Sequence, residues 1–270
     1  MSSKANPAQL LQACVDEDYE SYFRLLFDDK TVRYITIAPG LYTADDMCFG
    51  PAMVSLLPPL PSGNWNSGYV AHDPLTGQPH FESATQKMLK GIANAWHPTK
   101  IDHLALSMGR KIRSATYEAT SPLLEGCVIA KFARFEWEIG QVDAESEAYQ
   151  WLEGTNIGPK FMGHIVEEGR VIGLLVEQIE NARHADVADL SACEEALKKL
   201  HRLGILHGDV NKHNFLINGD GVTLIDFDCA RKTEDAKAFE VEMESLAVQL
   251  RDSSGKGGNR FSFAGKRDGE

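Results

Sequence analysis

The chain reads as an α+β protein carrying an N-terminal extension, and two observations predict this. From about Ile101 onward, strand-like runs rich in β-branched and aromatic residues are interspersed with helical segments, with Gly or Pro at several of the boundaries. Roughly the first hundred residues differ in texture, with a Pro-, Gly-, Ser- and Asn-rich stretch from Gly50 to Pro79. A length of 270 residues suits one large domain, or one domain with an extension.

In the extension, Leu10 to Leu26 carries apolar and aromatic residues at roughly helical spacing, with acidic residues between them. TVRYITI (Thr31 to Ile37) predicts a strand stopped by Pro39-Gly40. Pro58, Pro59 and Pro61 predict polyproline geometry, so LLPPLPSGNWNSG offers a ligand segment for the aromatic-lined groove of a protein partner. The preferred reading is a loop packed on its own protein through Leu57, Leu60 and Trp65. Phe81 to Ala95 resembles a short helix ahead of His97-Pro98.

Beyond Ile101, HLALSM (His103 to Met108) and RSATYEA (Arg113 to Ala119) are strand-like runs joined across Gly109-Arg110-Lys111. GCVIAKFARF (Gly126 to Phe135) is a strong strand, with Val128, Ala130 and Phe132 alternating with Ile129, Lys131 and Ala133. Residues 140–153 predict a helix with Val142, Ala148, Tyr149 and Leu152 on its apolar face, closed by Gly154 and Gly158-Pro159. KFMGHIVEE and RVIGLLVEQI predict two strands joined at Gly169. A helix follows from Ser191, the expected N-cap with Glu194 completing a capping box, to Leu203, and Gly204 ends it. Phe215 to Asn218 and Val222 to Phe227 predict a hairpin around Gly219-Asp220-Gly221. A last helix, about Thr233 to Arg251, turns Phe239, Met243, Leu246 and Leu250 inward before a Gly-rich polar tail.

Apolar residues make up 43% and charged residues 24%, which excludes a mainly disordered or fibrous chain. Lys plus Arg total 27 against 39 Asp plus Glu, a net charge of −12, which argues against holding nucleic acid by its phosphates yet leaves room for a locally positive ATP pocket. The five cysteines are odd in number, widely spaced and never in a C-x-x-C pair. Free thiols in a reducing compartment are expected, not a disulfide framework or a zinc site. The N-terminus lacks the apolar core of a signal peptide, and no apolar run reaches the ~20 residues of a membrane span. The expectation is a soluble, cytoplasmic protein with no membrane partner.

The chemistry concentrates in ILHGDVNKHNFLINGDGVTLIDFDCARK (Ile205 to Lys232). A hairpin folds its far ends together, so Asp209 and Asn214 at its entry can meet Asp226 at its exit. Mg²⁺ wants hard oxygen ligands from one or two carboxylates, which Asn214 and Asp226 can supply. Asp209 then remains free to accept a proton from an incoming hydroxyl. Lys131 interrupts the apolar VIAKFA run, as a neighbouring pocket holding phosphate or carboxylate would explain. His207, Asp209 and His213 superficially share a zinc- or iron-like spacing, with no third cluster behind it.

His207-x-Asp209-x4-Asn214, followed by Leu-Ile-Asp226-Phe-Asp228, resembles the catalytic and metal-binding loops of the protein-kinase-like superfamily. The resemblance runs from about Ile101 to Arg251. It implies a bilobal fold: an N-terminal lobe over 99–182, a reduced C-terminal helical lobe over 183–254, an extension over 1–98 and a flexible tail over 255–270. It implies ATP and Mg²⁺ in the cleft, with Lys131 steadying the α- and β-phosphates. Glu145 would be its ion-pair partner on the next helix, with Glu147 as the alternative. Glu177 and Ile179 match the hinge whose backbone holds adenine. Asn214 and Asp226 match metal ligands, and Asp209 the catalytic carboxylate. His207 would brace the loop.

The departures are informative. Gly109, Lys111 and Ser114 occupy the places of G-x-G-x-x-G, so two glycines are missing, and Lys111 or Ser114 would have to contact phosphate instead. Asp228 replaces the glycine of DFG, as in small-molecule kinases of the aminoglycoside and choline type, where it can serve a second metal; a solvated turn residue is the other reading. No A-P-E segment follows, and the closing helix is similar to that of minimal kinases of the RIO type and of the tRNA-modifying KEOPS complex. The implied activity is transfer of the ATP γ-phosphoryl group to a hydroxyl acceptor, a small molecule rather than an atypical protein substrate. A pseudokinase acting as a nucleotide-binding or scaffold module is the competing class.

Overall fold

The computed structural model describes residues 8–27, 30–219 and 221–252, and the chain divides into two compact units, Met1–Lys90 and Gly91–Glu270. The expected tail at 255–270 and Asp220 of the expected turn lie outside the described residues. The α+β class holds: each unit combines sheet and helix.

The first unit is a five-stranded sheet in the order β1 (Ala8–Cys14), β2 (Ser21–Phe27), β3 (Val32–Ile37), β4 (Ser67–His72), β5 (Pro79–Thr85), antiparallel except where β3 meets β4. Two short helices, α1 (Ala44–Cys48) and α2 (Gly50–Leu56), lie in the β3–β4 connection. Two sequence expectations fail here. The helical spacing from Leu10 to Leu26 is two strands, because Asp16 caps a turn by accepting from the Asp18 and Tyr19 amides at 2.9 Å. After that turn the buried set Phe23, Leu25 and Phe27 runs at period two. The expected helix from Phe81 is edge strand β5, where Phe81 pairs with Val70 and packs 5.5 Å from Trp65. The proline-rich stretch packs on its own unit: Leu57 and Trp65 are buried with Met53 and Val70, Leu60 packs against them, and the Trp65 indole donates to the Pro61 carbonyl at 3.0 Å.

The second unit is built on a six-stranded sheet: β6 (Lys100–Asp102), β7 (Ser107–Arg113), β8 (Thr116–Thr120), β9 (Val128–Phe132), β10 (Phe161–Glu167) and β11 (Arg170–Glu177), in the spatial order β6-β10-β11-β9-β8-β7. Only β6 and β10 run parallel. The run from His103 splits, with a 3₁₀ turn at His103–Ala105 preceding β7. Helix α3 (Ile139–Leu152) packs Val142, Ala148, Tyr149 and Leu152 into a core shared with Leu174 and Val176 of β11. Residues 91–98 belong to this unit: the Asn94 amide donates to Asp143 at 2.9 Å and the Trp96 indole to the Ser146 carbonyl at 2.9 Å.

The remainder holds β12 (Arg183–His184), α4 (Leu190–Arg202), β13 (Ile205–Leu206), the hairpin of β14 (Phe215–Asn218) and β15 (Gly221–Leu224), β16 (Arg231–Lys232) and α5 (Ala236–Arg251). Helix α4 begins one residue before Ser191, which therefore does not cap it. The turn ahead of α4 is capped by Asp186 and clamped by a two-pronged Arg183–Asp189 pair at 2.6 and 2.8 Å, which supplies the start signal instead. Cys193, Leu197 and Leu200 of α4 meet Leu246 and Leu250 of α5 in the same core as Phe215, Leu224 and Phe227. That core sets the β14–β15 hairpin on an apolar floor.

Candidate active site

Lys131 sits on β9, flanked in register by Thr116 of β8 and Leu174 of β11. Its Nζ lies 2.5 Å from Glu145 Oε2 and 2.5 Å from Asp226 Oδ1. Glu145 comes from the inner face of α3 and is 2% exposed, whereas Glu147 is exposed. Asp226 follows β15 with φ +67°, a left-handed conformation that is uncommon for a residue with a side chain and recurs at functional sites. Burial alone would lower the Lys131 pKa, but the two carboxylates outweigh it and hold the ammonium protonated. Burial likewise pushes Asp226 up, yet Lys131 and then Arg113 pull it below its ordinary range.

The loop from His207 to Asn214 is held from both sides. His207 is fully buried; its Nε2 lies 3.1 Å from the Ile225 carbonyl and its Nδ1 3.3 Å from the Asp209 amide, so both ring nitrogens face backbone groups. Glu242 of α5 accepts from the His207 amide at 3.2 Å, the Gly208 amide at 2.6 Å and His201 Nε2 at 2.7 Å. Burial would raise the Glu242 pKa, but these donors outweigh it and keep the carboxylate charged. Gly208 has φ +81°, and a Cβ there would collide with the Cys229 carbonyl.

Asn214 is fully buried and donates through Nδ2 to the Asp209 carbonyl at 2.9 Å and to Asp209 Oδ2 at 3.3 Å. The Ile225 amide in turn donates to the Asn214 carbonyl at 3.0 Å, which ties the loop to the strand leading into Asp226. With its Nδ2 so used, Asn214 is left with a buried Oδ1 that has no hydrogen-bond partner among the described residues. A buried, unsatisfied carbonyl oxygen is costly alone and suits a hard cation, so the donor set fits Mg²⁺. Among the described residues, no cluster of three or more His, Cys, Asp or Glu is arranged to hold a metal, and with both nitrogens of His207 on backbone the zinc-like spacing leads nowhere.

A cavity of about 610 Å³ brings together Lys131, Glu145, Asp226, Asp228, Ser114, Glu177 and Ile179, with Ile129, Leu174, Val176 and Leu216 as apolar wall. Four candidates stay out of its lining: Gly109, Lys111, Asp209 and Asn214. Gly109 lies within β7, where a Cβ would touch the Glu118 carbonyl, and Lys111 is exposed in register with Tyr117. Asp209 lines a second cavity of about 520 Å³ with Arg231, Lys237, Ser245 and Gln249. Arg113, whose guanidinium lies 3.2 Å from Asp226 Oδ2, was not among the residues singled out from the sequence, because a strand-end arginine carries no local signal. Nor was Glu242, although it carries a signal: an acid set among Phe239, Met243 and Leu246 on the inward face of its helix.

Residues 175–261 match the Lipopolysaccharide kinase (Kdo/WaaP) family. A stretch of 110 residues, 39% of this chain, is 30% identical to a probable bifunctional tRNA threonylcarbamoyladenosine biosynthesis protein of Methanothermobacter thermautotrophicus. The match spans 19% of that protein's length. The resemblance to kinase-like proteins read from the sequence is borne out.

Proposed function

We propose that the chain is a bilobal, kinase-like phosphotransferase that moves the γ-phosphoryl group of ATP to a hydroxyl acceptor with Mg²⁺. The observation that carries this reading is Lys131 placed between Glu145 and Asp226 at the wall of a cavity that is apolar on one side and charged on the other. Ile129, Leu174, Val176 and Leu216 suit a purine, and the backbone at Glu177 and Ile179 suits its polar edge. Lys131 binds the α- and β-phosphates. Asn214 and Asp226 would hold Mg²⁺, with Asp228 available for a second ion, and the metal when bound neutralises phosphate charge.

Asp209 orients the acceptor hydroxyl and takes its proton. The acceptor oxygen bonds to the γ-phosphorus as the bond to the β–γ bridging oxygen breaks, and ADP leaves. Positioning and charge stabilisation carry most of the rate, since little covalent chemistry is asked of the protein. The acceptor would approach from the side that Asp209 shares with Arg231, Lys237, Ser245 and Gln249, whose mixed lining suits a polar small molecule. A nucleotide-binding module without turnover is the second reading, favoured by the lack of glycine at the β7–β8 turn.

One pair of assays separates them: ADP formation from Mg²⁺-ATP with a pool of hydroxyl-bearing metabolites, and ATP affinity, each for wild type and Asp209→Asn. The enzyme reading expects turnover that falls at least ~100-fold in the variant, while affinity changes little. Binding without turnover in either protein supports the module.

A further inference from the structure

The β7–β8 hairpin poses a chemical problem for the phosphotransferase reading. Its tip is Ser114-Ala115, with Arg113 and Thr116 as the closing pair and Ala115 at φ +61°. Such a two-residue turn has no run of glycines whose bare amides could wrap around phosphates. Phosphate charge must be met by side chains, and the hairpin supplies a choice of three. Arg110 is engaged by Glu118, its Nη2 lying 2.5 Å from Oε1. Lys111 lies outside the cavity lining. Arg113 lines the cavity, and among the described residues its ion-pair partner is Asp226.

That partner decides what happens when the site fills. Both oxygens of Asp226 are taken by protein cations, Oδ1 by Lys131 and Oδ2 by Arg113. A divalent cation on Asp226 competes with both. Lys131 keeps Glu145 when Asp226 turns to metal, whereas Arg113 loses its carboxylate. The released guanidinium stands at the tip of the hairpin over the cavity, and its planar fork of donors matches phosphate oxygens.

We propose that Arg113 is the phosphate-binding residue of this hairpin, standing in for a glycine-rich loop: it caps Asp226 while the site is empty and transfers to the nucleotide's terminal phosphates when metal and ATP enter. This rests on the phosphotransferase reading above. Two readouts of opposite sign follow. Removing Arg113 weakens binding of the triphosphate, and it strengthens binding of the metal alone, because a competitor for Asp226 is gone.

The test titrates wild type, Arg113→Ala and Arg113→Lys with Mg²⁺-ATP, with adenosine, and with Mn²⁺ alone. The expected result for Arg113→Ala is Mg²⁺-ATP affinity lower by about 10- to 100-fold, the worth of a hydrogen bond to a charged group. Adenosine affinity should stay within about twofold, and Mn²⁺ alone should bind more tightly than to wild type. Arg113→Lys should recover part of the ATP affinity, since it keeps the charge and loses the fork. An unchanged ratio of ATP to adenosine affinity in Arg113→Ala overturns the assignment. So does an equal loss for both ligands, which would mark a damaged cavity. A wild type that binds adenosine but gains nothing from the phosphates overturns Arg113 alone, and one that binds neither ligand overturns the phosphotransferase reading with it.

Discussion

Lys131 ties together three stretches far apart in sequence: its own strand, the helix bearing Glu145 and the loop bearing Asp226. It was legible because a charge interrupts an apolar strand. Its helix partner was legible only as a choice between Glu145 and Glu147. Two residues turn a helix by about 200°, so one of the pair must face inward and the other outward. Glu145 is the buried one, in contact with Lys131. Glu145→Ala should therefore lower Mg²⁺-ATP affinity at least ~10-fold by leaving Lys131 with Asp226 alone. Glu147→Ala should change it less than about twofold. Equal effects in a calorimetric titration would refute the assignment of Glu145 as the lysine's anchor. Arg113 was illegible for the opposite reason: its partner lies across the cavity, and only the folded chain brings a strand end to Asp226.

At the scale of elements, strands with period-two burial and helices with Gly stops were readable, as β9, α3 and the β14–β15 hairpin show. The misreadings share a cause. From Leu10 to Leu26, two antiparallel strands on one sheet summed to a helix-like spacing, and the turn chemistry of Asp16 that separates them is carried by one side chain. Strand β10 carries a further consequence. His164 is wholly buried, lies 5.0 Å from the ring of Phe161, and accepts from the His97 amide at 3.4 Å. Burial pushes its pKa down from 6.5 to about 4. The unfolded chain protonates this histidine near pH 6.5 while the folded one leaves it neutral, so the unfolded state binds more protons between the two values. Stability is complete above about pH 6.5 and falls as pH drops towards 4, by roughly 2 kcal/mol from this group by pH 5. His207, also lowered by burial, acts in the same direction. Thermal unfolding at a series of pH values should show a shallower acid loss in His164→Gln than in wild type. Parallel curves would mean that His164 is not the group responsible.

At the scale of the whole molecule, composition excluded a mainly disordered chain, the acidic charge argued against phosphate-driven nucleic-acid binding, and the ordered set of Lys131, Glu145, Asp209, Asn214 and Asp226 pointed to one chemistry. The structure places that set in the second unit, Gly91–Glu270, on or beside one cavity. No helix among the described residues is long and apolar enough to cross a membrane. The first unit has its own core of Phe23, Leu25, Ile35, Ile37 and Trp65, and none of the candidate residues. Nothing in its residue pattern announced a five-stranded sheet, because pairing between strands as distant as β3 and β4 leaves no local periodicity to read. The central claim is that the Lys131–Asp226 centre binds nucleotide through metal. The most direct test is calorimetric titration of ATP into wild type and Asp226→Ala, each with and without Mg²⁺. Wild type should bind with a clear dependence on Mg²⁺, and Asp226→Ala should lose that dependence. No binding by wild type at millimolar ATP, or the same Mg²⁺ dependence in both proteins, would contradict it.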